Sequence, residues 1–127
     1  MRYTLDRAFP GATYDDILAR TRAALQAEGF GIPTEMDTRA IFQAKLGQDS
    51  TPRTILGACL PAVAFEALAA EPQIAALLPC NVTVFATPEG VTVSAADPEA
   101  LFKLTLKVDP THAVSVKNRL KAALERI

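Results

Sequence analysis

Of all the side chains in this sequence, those of its two cysteines, Cys59 and Cys80, have the widest chemical reach. A thiolate can act as a nucleophile, as a metal ligand or as half of a redox couple. Each cysteine adjoins the end of an expected strand and a proline step, in Cys59-Leu60-Pro61 and in Pro79-Cys80-Asn81. If the two strands run antiparallel, the intervening segment returns the chain to the end it left, and both sulfurs can lie together. If they run parallel, the sulfurs lie at opposite ends of the sheet. No Cys-x-x-Cys spacing is present, and free cysteines are usually small buried hydrophobes. A stable disulfide is not expected in a reducing cytoplasm. A structural zinc site takes four Cys or His ligands, and the chain has only Cys59, Cys80 and His112, so no metal site is expected.

Three carboxylates, Glu35, Asp37 and Asp97, fall at expected strand ends, where acid–base and ligand-contacting groups are commonly placed. Asp37 and Asp97 stand just before helical patterns and have a simpler role as N-caps, accepting bonds from unpaired helix amides. Glu35 has no such role and is the freer candidate. His112 belongs to the first turn of the expected last helix and is expected to be solvated, with no Cys or Ser partner in the sequence. Asn81 could bond a ligand or fix the turn into its strand, and the second suits asparagine well. Arg53, at a strand start, is expected to be solvated. No Gly-rich loop has phosphate-binding spacing, and no nucleophile elbow is present.

The elements that would position these groups follow one another with short connections. Tyr3 to Phe9 alternates as a strand ending at Pro10-Gly11, and Phe30 to Glu35 is a second strand whose Pro33 predicts an edge or a bulge. Between them Tyr14, Ile17, Leu18, Thr21, Ala24 and Leu25 share one helical face, after a capping-box-like Thr13 with Asp16 and before Gly29. A short helix after Asp37 carries Ala40, Ile41 and Ala44, and Gln48 to Pro52 forms a surface loop. Arg53 to Cys59 is a third strand, whose small Gly57 and Ala58 let something approach its backbone closely. Pro61 to Leu78 is helical, with a bend at Glu71-Pro72. Asn81 to Ala86 and Val91 to Ala96 form a hairpin across Thr87-Pro88-Glu89-Gly90, covering a core on the side of Val91, Val93 and Ala95. Asp97-Pro98 opens a helical turn with Leu101, Phe102 and Leu104. Asp109-Pro110 opens the last helix, with Ala113, Val116, Leu120, Leu124 and Ile127 on its apolar face. The order β-α-β-α-β-α-β-β-α predicts a single α+β domain over residues 1–127, with a mixed, mostly antiparallel sheet of about five strands and helices packed on it.

Composition narrows the function classes. The 127 residues include 13 basic and 14 acidic ones, a formal charge of −1, with no basic stripe to neutralise a row of phosphates, so nucleic acid is not an expected partner. Half of the residues are hydrophobic and 21% are charged, which suits a globular domain. The first residues lack the apolar stretch of a signal peptide, and the longest apolar run, Leu56 to Ala70, is broken by Pro61 and Glu66, so no membrane span is expected and a cytoplasmic setting follows.

Three stretches carry a likeness: Phe30-Gly31-Ile32-Pro33-Thr34-Glu35-Met36-Asp37, Ile55-Leu56-Gly57-Ala58-Cys59-Leu60-Pro61 and Leu77-Leu78-Pro79-Cys80-Asn81-Val82, together with Lys45-Leu46-Gly47 and the Val91 to Pro98 segment. With them the chain resembles domain-of-unknown-function family 302 over nearly its whole length. The resemblance implies a small bacterial or archaeal α+β domain that forms homodimers, and it names a fold without a reaction. Family members often carry Asn where this chain has Leu60, so the polar contact expected beside Cys59 is missing.

Three functions follow as expectations. The first is a small-ligand-binding or accessory domain, its pocket formed near Gly57, Cys59, Pro61, Pro79, Cys80 and Asn81, because pockets favour such strand–helix junctions. The second is a thiol-dependent redox enzyme or electron-transfer partner, with Cys59 or Cys80 as nucleophile and Glu35 or Asp97 as proton acceptor. The third is a structural homodimer module, based on the apolar helices and on a free edge of the hairpin. The cofactor, if any, is not specified by any motif.

Overall fold

The computed structural model describes residues 2–104 and 109–127. Five strands, β1 (Thr4–Pro10), β2 (Gly31–Asp37), β3 (Arg53–Cys59), β4 (Cys80–Thr87) and β5 (Gly90–Ala96), form one sheet in the order β1-β5-β4-β3-β2. Among the described residues five α-helices accompany them: α1 (Tyr14–Ala27), α2 (Thr38–Leu46), α3 (Pro61–Ala70), α4 (Pro98–Phe102) and α5 (Pro110–Arg126). This is the α+β architecture expected, and every strand pairing in it is antiparallel. No parallel pair is needed, because each chain excursion between neighbouring strands returns to the end of the sheet that it left.

One sheet face carries the core. Alternate residues of the central strands, Leu56, Val82, Val84, Val91, Val93 and Ala95, are all at most 2% exposed, and they pack against Ile17 and Leu25 of α1 and Val116, Leu120 and Leu124 of α5. Each such Val, Leu or Ile stabilises the fold by about 1.5–3 kcal/mol relative to an exposed side chain. A second cluster, Ala67, Ile74, Phe102 and Ala113, holds α3 and the start of α5 together. The bend expected at Glu71-Pro72 is present: α3 stops at Ala70, and a 3₁₀ turn occupies Pro72–Leu77. Proline explains it, since it brings no amide hydrogen and disfavours helix in the residue before it.

Several local expectations turn out differently. The β4–β5 hairpin offers no free edge, because β3 and β1 flank it, and the exposed edges belong to β1 and β2. Thr13 precedes α1 but makes no side-chain cap bond; instead Asp15 and Asp16 place negative charge in the first turn, which complements the helix dipole. At Pro33 the edge and the irregularity are both found: β2 is an outer strand, and its pairing with β3 shifts register between Gly31 and Thr34.

Gly57 lies deep in β3, and the groups that approach its backbone belong to the protein itself. A Cβ there would sit 2.1 Å from Thr34 Oγ1 and 2.6 Å from Pro79 Cγ. Gly57→Ala therefore forces β2 and the Leu78–Pro79 step, a cis peptide, to move. We expect it to destabilise the domain by about 1–3 kcal/mol in urea unfolding, with Gly57→Ala paired to Thr34→Ala recovering part of the loss.

Candidate functional site

Antiparallel pairing of β3 and β4 sets Ala58 opposite Cys80 and so brings both cysteines to the same end of the sheet. Both thiols are free, and both line a cleft with Phe30, Val63, Phe102 and Val116. Its volume is about 20 Å³, room for roughly one water, and its walls are apolar. Cys80 is buried, and desolvation followed by the neighbouring Cys59 pushes its thiol from 9.0 up to about 11. A thiol so placed is protonated at neutral pH and a poor nucleophile.

The acids named with the cysteines are committed elsewhere. Asp97 accepts from the Glu99 amide at 3.0 Å, capping α4, and pairs with Lys117 Nζ at 3.0 Å. Asp37 likewise caps α2 through the Ala40 amide at 3.0 Å. Glu35 takes both edge nitrogens of Arg22, Nε at 3.1 Å and Nη2 at 2.5 Å, and this pairing raises the pKa of Arg22. Neither Glu35 nor Asp97 lines the thiol cleft. Among the remaining candidates, Asn81 is exposed within β4, opposite Gly57, and Arg53 is exposed with its guanidinium 4.5 Å above the Phe85 ring. His112 is not free in solvent: its Nε2 lies 2.9 Å from Glu66, and its buried Nδ1 has no hydrogen-bond partner among the described residues. Ala67 and Ala113 belong to one buried cluster, which brings α3 near the first turn of α5.

Glu35 belongs instead to a second and larger opening. At the β2 end of the sheet the helix layer stops short, leaving a groove of about 780 Å³ between α1, β2, β3 and the start of α2. Its wall is Tyr14, Leu18 and Arg22, spaced four apart and therefore on one face of α1. Thr54, Glu35 and Asp37 come from the helix side of β3 and β2, and Asp15, Arg39 and Pro52 also line the groove. Tyr14 Oη and Thr54 Oγ1 are 2.5 Å apart, so the phenol is fixed against the strand. Arg39 is held by Asp49, with Nε–Oδ1 at 2.9 Å. No group of three or more His, Cys, Asp or Glu side chains among the described residues is placed to hold a metal ion.

Sequence reasoning missed most of this groove. The spacing puts Tyr14 and Leu18 on one apolar face of α1, and both do pack at the margin of the core, but it gives no role to Arg22. The signal that could have found it is an arginine continuing the spacing of Tyr14 and Leu18, a charge on a face otherwise turned to the core.

The Cys80 environment has a pH consequence. A thiol whose pKa rises on folding contributes stability that is complete below pH 9 and is lost as pH climbs toward 11, by up to about 2–3 kcal/mol. Urea unfolding at pH 8 and pH 10.5 checks this. The loss should be smaller in Cys80→Ala than in the parent chain, and equal losses would remove the thiol from the account.

Comparison with known proteins adds the following. A family model described as "Domain of unknown function DUF302" matches residues 6–127. Among solved structures, the crystal structure of an uncharacterized conserved DUF302 protein from Bacillus stearothermophilus superposes with a TM-score of 0.82 at 28% identity, over 98% of this chain and 95% of that one. No curated protein matches.

Proposed function

The chain belongs to the DUF302 family, and from that premise we propose that it is a small-ligand-binding module whose seat is the groove between α1, β2 and β3. The observation that carries this reading is the contrast between this groove and the thiol cleft. The groove, at about 780 Å³, falls within the range of small-molecule sites, whereas the thiol cleft at about 20 Å³ does not. The groove also gathers polar groups fixed by partners: the Tyr14–Thr54 hydroxyl pair and the Arg22–Glu35 ion pair. Groups held in place before a ligand arrives lose little freedom on binding it.

The thiol-enzyme reading is the weaker one. Cys80 is buried with a raised pKa, and the acids that would serve it bind Lys117 and Arg22.

The test is an amide-resolved NMR titration with pooled polar metabolites. A binding ligand should shift the amides of Tyr14, Leu18, Arg22, Glu35 and Thr54. Shifts confined to Ala58, Cys59, Cys80 and Phe102 would move the seat to the thiol cleft and sink this reading.

A second reading, homodimerisation, is favoured by one feature. Helix α2 buries only Thr38, and it leaves Ile41, Phe42 and Leu46 at 40%, 41% and 65% exposure beside Met36 at 43%. An amphipathic helix with its apolar side in water suits a second copy of the chain as its cover. Analytical ultracentrifugation should find a dimer that becomes monomeric in Phe42→Asp. A parent chain that stays monomeric at every concentration would exclude it.

A further inference from the structure

We draw no further inference here: the strongest candidate, the exposed apolar side of α3 that presents Phe65 and Leu68 to solvent, carries nothing, because nothing among the described residues shows what covers it.

Discussion

The three central strands must hold their register, because a slip of one residue would turn Leu56, Val82, Val84, Val91, Val93 and Ala95 from the core to water. That constraint organises the molecule. It fixes which side of the sheet α1 and α5 cover, and therefore where the helix layer runs out. It also places Thr54 on the same face as Leu56, buried at the margin of the core, where it meets the Tyr14 hydroxyl of α1. The groove is thus a by-product of how far two helices can extend over five strands. Its floor is continuous with the core, and its charged rim is exposed to water.

The same alternation separates the two cysteine environments. Cys80 shares the core face with Val82 and Val84 and is buried, whereas Cys59 ends β3 and is only partly covered. Their approach follows from strand direction alone and requires no chemical role. Sequence reasoning left that direction open, since the bent segment between β3 and β4 is compatible with either.

What was legible in the sequence was local. The hairpin announced itself through Pro88 and Gly90 between alternating runs, the last helix through Asp109-Pro110 and its apolar spacing, and the caps at Asp37 and Asp97 through their positions before helical patterns. Each signal lies within a few residues and needs no partner. The groove was not legible, because its residues come from three separate stretches and each had a sufficient local explanation: Tyr14 and Leu18 on the apolar face of α1, Asp37 as a cap, Pro52 as loop. Only the β2–β3 pairing, with Glu35 opposite Leu56 and Asp37 opposite Thr54, brings them to one place. His112 shows the same limit, since its contact with Glu66 depends on how α3 crosses α5, which no periodicity encodes.

The place of β1 matters for the growing chain. Thr4 pairs with Ala96, and Arg7 donates to the Leu124 carbonyl near the end of α5, so β1 is secured by residues that are synthesised well after it. At about 5–20 residues per second, β1 leaves the ribosome roughly 5–20 s before its partner strand exists. Leu5 and Phe9, which later pack against the core, spend that interval in water. β1 can therefore join the sheet only once β5 is in place, and until then its apolar residues lack the surface they are shaped to cover.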